Sequence, residues 1–255
     1  MLRTIILDAY REGEKDEIVK ALDELCSPRD NYGWASAGIY CYWDYYTHET
    51  YYIGLAVDLT ERFKQHNGYY SAIDAKTCKK REIDTYFQTK DKIGFSIIVQ
   101  SPLSQPVTTR LKAEYKDFFS AWSPVENYVG EDGKQSIKHQ EGVLLEAFRK
   151  VNGKLPKWNK MNGSVIGQKS SKLINFESIK VLSNRRTHPL MSRSSIRELA
   201  KDPSLERYEN FLHAVRILYP IAGYENAINL LRKNSIIDSY GEMEKSGYLS
   251  KKLEI

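Results

Sequence analysis

The sequence predicts an α/β (α+β) fold, a small strand-and-helix core followed by a helical C-terminal part. Three observations carry that expectation. Two runs rich in Ile, Tyr and Thr, 37–43 and 50–54, flank a polar segment and read as a β-hairpin. The apolar run Phe95-Ser96-Ile97-Ile98-Val99 reads as a third strand, and the last third of the chain repeats apolar residues at helical spacing. With 255 residues, 41% of them apolar, the chain can bury a real core and hold one or two domains.

Taken in order, Asp16 to Leu25 is an acidic amphipathic helix, so 1–34 is expected to brace the core. The hairpin follows. Period-two geometry puts Ile39 and Cys41 on one face and Tyr40 and Tyr42 on the other, and sets Tyr52 opposite to Ile53, so two phenols share a face. Asp58 is an N-cap for the next helix, and Glu61 three positions on makes a capping-box pattern. Arg62 and His66 are four apart and lie on one helical face, where guanidinium and imidazole both reach one phosphate. A second helix over 75–88 and a turn over 90–94 lead into the third strand. Thr108 to Trp122 reads as an extra helix within an insertion at about 101–140. Glu141 lies on a predicted helix in which Leu144, Leu145 and Phe148, three, four and seven positions on, form a buried stripe. Glu114 and Glu146 stay open as rival carboxylates. Taken singly, aromatic pairs on strands are most often packing, and an Arg–His pair on a helix is most often a solvated one. Order and spacing favour a site.

Gly38-Ile39-Tyr40 and Tyr52-Ile53-Gly54, with Arg62 eight residues after Gly54 and His66 four further on, resemble the catalytic core of the GIY-YIG nuclease family. The strand-strand-helix-helix-strand order is similar to that family's core as well, and the likeness covers roughly 35–162. It implies a three-stranded, mainly antiparallel sheet flanked by helices. It also implies an endonuclease using one Mg²⁺ (or Mn²⁺) per active site, with Glu141 as metal ligand, Tyr40, Tyr52, Arg62 and His66 as catalytic residues, and Asn159, following Trp158, as phosphate or metal support. The chain departs from the family pattern in the long gap before Glu141 and in the insertion from Arg149 to Pro156.

Charge points the same way. The net charge is +5, and while the first thirty residues hold five Lys/Arg against eight Asp/Glu, 164–201 holds eight against two. Lys169, Lys172, Lys180, Arg185, Arg186, Arg193 and Arg197 are therefore candidate nucleic-acid contacts, on a basic linker over 163–193 whose Gly- and Ser-rich start reads as flexible. The helical part, 194–255, has a capped start at Ser195, an apolar repeat through Leu218 that Pro220 ends, and a further helix near 224–233. It reads as an accessory region that binds DNA, mediates self-association or caps the core, and with no specific DNA-binding signature packing on the core is the favoured role. Cys26, Cys41 and Cys78 are odd in number and lack metal-site spacing, which argues against a disulfide framework or a zinc site. No apolar run is long enough to span a bilayer, and the N-terminus carries acids too early for a secretory signal, so a cytoplasmic location is expected.

The expected function is a metal-dependent DNA endonuclease of restriction or phage-defence type, with no membrane and no small-molecule cofactor. A homing endonuclease, an inactive nucleic-acid-binding module and an RNA-directed nuclease are the alternatives. One active site per chain requires a double-strand cutter to form a homo-oligomer or to cut twice.

Overall fold

The computed structural model describes residues 4–27, 33–70, 78–106, 108–114 and 132–255. At its centre is a four-stranded antiparallel sheet of β1 (Thr4–Arg11), β2 (Gly38–Asp44), β3 (Thr50–Ala56) and β4 (Lys92–Val99), in the order β1-β4-β2-β3. The mixed class stands, but the expected three strands are four. The addition is β1, in the segment read only as a helical brace; it pairs with β4 from Thr4↔Val99 to Arg11↔Lys92. Its apolar run is interrupted by Asp8, which hides the strand from a pattern search. β4 begins at Lys92, so the expected turn over 90–94 is already half strand.

Helices cover both faces. On one face Ile6, Tyr10, Tyr40, Tyr42, Phe95 and Ile97 meet α1 (Lys15–Leu25), α2 (Leu59–His66), α3 (Lys80–Phe87) and α8 (Ile196–Lys201). On the other, Ile39, Cys41, Trp43, Ile53 and Ile98 meet α5 (Asp132–Asn152) and α7 (Ile174–Val181). Each fully buried Leu, Ile or Phe side chain in these layers contributes about 1.5–3 kcal/mol. α4 (Thr109–Glu114) covers the start of the expected 108–122 helix, whose remainder lies outside the described residues along with the side chain of Glu114. α3 starts at Lys80, after a non-helical Cys78-Lys79, where the pattern predicted a start near 75.

The Gly- and Ser-rich stretch expected to be a flexible linker is folded. α6 (Val165–Lys169) has Ser164 as N-cap and lies hard against α5: a Cβ on Gly167 would come within 2.1 Å of the His139 carbonyl oxygen, and one on Gly142 within 2.4 Å of the Ser164 carbonyl oxygen. Small residues at the crossing are what allow this approach. α9 (Pro203–Ala222), α10 (Tyr224–Asn234) and α11 (Ser239–Ser246) enclose a third core around Phe211, Val215, Ala227 and Met243. Pro220 sits inside the last turn of α9, and Gly223, at φ +77°, ends the helix instead. The Ser195 cap of α8 is a full capping box with Glu198. Among the described residues no helix is long and apolar enough to cross a membrane. Cys26, Cys41 and Cys78 are buried free thiols.

Candidate active site

The hairpin sets the first two residues of the site. Tyr40 on β2 pairs in register with Gly54 on β3, and Tyr42 pairs with Tyr52. All four therefore address the same face. Gly54 is the floor of the site. A Cβ there would lie 2.5 Å from the Tyr52 ring and 2.8 Å from the Tyr40 hydroxyl oxygen, so the two phenols share space that only glycine leaves open. Their ring centroids are 5.6 Å apart. The register shift after Tyr42 leaves Tyr51 without a partner of its own, a bulge that turns its ring toward Trp158 at 4.9 Å.

α2 supplies the next two. Asp58 caps it by accepting the Glu61 N–H at 3.0 Å, but the reciprocal half of the expected capping box is missing: the Glu61 carboxylate turns to Lys64 and Tyr70. Phe63 anchors the helix to the sheet, its ring edge-on to Phe95. One turn of helix then separates Arg62 from His66, as the four-residue spacing predicted. His66 is fully buried, with Nε2 2.7 Å from the Tyr40 hydroxyl and Nδ1 accepting the Lys79 backbone N–H at 3.1 Å. Burial, then the charges of Arg62 and Lys79, push its pKa down to about 3, so the ring is neutral. Because Nδ1 accepts, the single ring proton is on Nε2 and is donated to the Tyr40 oxygen. The Tyr40 hydroxyl proton is thereby left for Tyr52, with which it shares a hydrogen bond. A directed chain results, from the Lys79 N–H through His66 and Tyr40 to Tyr52, its partly exposed end. Burial raises the pKa of both phenols, and the nearby Arg62 guanidinium opposes that rise.

The fifth residue reaches the site around the sheet edge. β3 is an edge strand, and its outward backbone groups are covered by three residues: Trp158 donates its N–H to the Tyr51 carbonyl, Asn159 pairs with both the N–H and the carbonyl of Ile53 at 2.9 and 2.7 Å, and the Leu55 N–H meets the Glu141 carboxylate. Glu141 thus sits beside Tyr52, whose ionisation it opposes. It is mostly buried, and burial, partly offset by the Leu55 N–H, pushes its pKa up to about 7. No Lys or Arg pairs with it among the described residues. Glu146, the rival on the same helix, is held by Arg149 at 2.8 Å and by Lys150 at 3.6 Å.

Tyr40, Tyr52, Arg62, His66 and Glu141 therefore converge. Asn159 is used differently from its expected role, since its amide is committed at both ends to Ile53 and pins the strand. The basic candidates disperse. Arg197 is locked to Asp8 and to Glu17 at 3.0 and 2.9 Å, Arg193 bonds the Lys251 carbonyl, and Arg185 stacks on the Tyr45 ring at 4.6 Å. Arg197 is thereby committed within the fold, while Arg185 and Arg193 are each partly engaged and partly exposed. Lys169, Lys172, Lys180 and Arg186 remain on the surface. Two site residues had no sequence signal: Lys79, buried with its ammonium 5.1 Å from the Tyr52 ring, and Glu82, 3.8 Å from Lys79. They arrive through tertiary packing of α3, which no spacing encodes.

Among the described residues no group of three or more His, Cys, Asp or Glu side chains gathers as a metal cage. A lone, mostly buried carboxylate without a counter-cation still fits Mg²⁺, which keeps several waters and is held by one or two carboxylates together with substrate phosphate. No protein-family model, curated protein or solved structure matches the chain.

Proposed function

We propose that the protein is a metal-dependent DNA endonuclease of the GIY-YIG type, acting in restriction or phage defence. The observation that carries this reading is the convergence of Tyr40, Tyr52, Arg62, His66 and Glu141 from four separate elements onto one edge of the sheet. Phosphodiester hydrolysis needs a nucleophilic water, stabilisation of negative charge at phosphorus, and a proton for the leaving oxygen. Arg62 has no hydrogen-bond or ion-pair partner among the described residues, so its guanidinium is free to bind a phosphate in bidentate fashion and to stabilise the charge that grows on it. Tyr52, at the solvent end of the chain, orients the water whose oxygen bonds to phosphorus as the phosphorus–oxygen bond to the leaving group breaks. The water's proton passes to Tyr52 only in its phenolate form, which burial opposes and Arg62 favours, and the leaving oxygen takes a proton from bulk water. Tyr40 and His66 stand behind it as donors: a hydrogen bond from Tyr40 favours the Tyr52 phenolate, and His66 holds Tyr40 in the donating orientation. Glu141 would hold Mg²⁺, which when bound neutralises charge on the phosphate and assists the leaving oxygen.

The test is cleavage of supercoiled plasmid and of phage genomic DNA by the purified protein in Mg²⁺ or in EDTA, beside Glu141→Ala. Discrete fragments that require Mg²⁺ and vanish in the variant are expected. A wild-type protein that leaves every DNA intact with Mg²⁺ and Mn²⁺ present would reject the reading.

A further inference from the structure

Next to the catalytic cluster lies an open cavity of about 620 Å³ that the hydrolytic reading does not use. Its floor is aromatic: Tyr51 from the β3 bulge, Tyr86 from α3 and Trp158 from the segment after α5. Its rim is basic. Arg81 comes from α3, Lys90 from the turn before β4, and Lys157 and Lys160 from either side of Trp158. Against four cations stands one carboxylate, Glu82, and this is already paired with Lys79 at 3.8 Å. Arg81 and Lys160 have no hydrogen-bond or ion-pair partner among the described residues, and Lys157 contacts only a ring, Tyr51, at 5.2 Å. Lys90 is shared between Asp44 and the Tyr86 ring, 5.4 Å away.

Unpaired cations repel one another. Segments about eighty residues apart in sequence bring them to one rim, which an anionic ligand would stabilise. The volume is of the size that holds a small organic ligand, and aromatic edges beneath cations suit a unit that carries both a phosphate and a flat base. The cavity also adjoins the site. Tyr51 precedes Tyr52, Glu82 lies close enough to Tyr52 to oppose its ionisation, and Trp158 precedes the Asn159 that pins β3.

We infer that this basic, aromatic-floored cavity is the subsite for the nucleic-acid strand flanking the scissile phosphate, with Arg81, Lys157 and Lys160 on its phosphates and a base over the Tyr51–Trp158 floor. The inference rests on the nuclease reading for the identity of the strand, and it relocates the strand contact from the basic stretch 169–197 to α3 and the segment after α5.

Binding of a fluorescein-labelled DNA strand to the full-length protein in EDTA, read by anisotropy across a salt series, separates this inference from catalysis. The triple variant Arg81→Ala/Lys157→Ala/Lys160→Ala is compared with Lys233→Ala/Lys245→Ala/Lys252→Ala, which removes equal charge from the exposed far helices and C-terminus. For a single strand each lost phosphate contact lowers the slope of log K against log salt by about 0.7, so the cavity variant should lose about 2 from that slope while the control keeps it. Equal slopes for wild type and cavity variant would overturn the subsite, as would a wild type that binds no DNA. If wild type binds with a cavity-dependent slope yet never cuts with Mg²⁺, the subsite stands and the nuclease reading falls. If it cuts and the cavity variant cuts with unchanged KM, the nuclease reading stands and the subsite falls.

Discussion

Two buried polar clusters lie on opposite margins of the same sheet, and they differ in how fully they are satisfied. At the β1 margin Asp8 accepts from the backbone and guanidinium of Arg197, which also reaches Glu17 and the Ala9 carbonyl. Beside it the fully buried Glu209 accepts from Arg193 N–H, Tyr248 and Arg216, and Arg216 goes on to the Pro189 and Met191 carbonyls and to Thr4. Every charge there has an opposite partner. At the β3 margin, among the described residues, Glu141 has no cation and Arg62 no anion, and the Tyr40–Tyr52 chain ends at solvent. A cluster whose charges are all paired fixes structure, joining the C-terminal helices to β1. An open one keeps capacity for something not yet bound, which under the proposed function is a phosphate and a metal ion.

The sharpest way to break this contrast is Arg197→Ala. It strands the Asp8 carboxylate in the core, and removing one partner of a buried pair costs about 3–5 kcal/mol. Denaturant unfolding should show that loss, with DNA affinity measured below the transition unchanged. A variant of near-wild-type stability that binds DNA more weakly would return Arg197 to the role its place in a basic stretch suggested. Arg62→Ala should do the reverse. Losing one preorganised group that stabilises transition-state charge costs about 10²–10³ in rate, while stability moves by no more than about 0.5 kcal/mol because the side chain has no described partner to lose. Single-turnover cleavage and a thermal melt of the same sample decide it.

The same contrast explains what the sequence discloses. Tyr40, Tyr52, Arg62 and His66 lie within twenty-seven residues, and their relation is set by strand alternation and one turn of helix, local rules that a reader of the sequence can apply. Glu141 needed the stripe of Leu144, Leu145 and Phe148 and the family likeness, because nothing local says that its helix meets the free edge of β3. Arg197, within the basic stretch, turns inward for a physical reason. Whether an arginine meets a phosphate or an aspartate 189 residues away depends on a packing arrangement that composition does not contain. β1 was hidden for the same reason, since Asp8 looks like a surface acid until Arg197 is seen to cover it. Lys79, Glu82 and the aromatic floor of the cavity are likewise products of how α3 and the 157–160 segment come together.

Gly54 tests whether the open cluster depends on close packing beneath it. In Gly54→Ala the new Cβ meets the Tyr52 ring and the Tyr40 hydroxyl at distances real side chains do not adopt, so one ring must move. Overpacking of this kind costs about 1–3 kcal/mol, and displacing either phenol breaks the chain from His66. The expected result is a modest loss in unfolding free energy with a disproportionate loss of cleavage. Unchanged cleavage would mean that the two phenols need not share that space.

The smallest effect concerns protons and uses one histidine at each margin. His66 and His213 are both buried and both held neutral, with pKa pushed down to about 3 by burial and then by Arg62 or Arg216. An unfolded chain protonates each near pH 6.5, so between about pH 6.5 and 3 the unfolded state binds more protons and stability falls as pH falls, by up to about 1.4 kcal/mol per pH unit for each ring. His213 Nδ1 bonds Thr4 at 2.8 Å, while its Nε2 is buried without a described partner, so substitution there leaves the β3 margin intact. Urea unfolding of His213→Ala from pH 7 to 5 should therefore give a shallower decline than wild type, with cleavage retained at neutral pH. A slope equal to wild type would mean that His213 admits a proton without unfolding, which would place water or an opposing charge against a ring that this geometry leaves sealed.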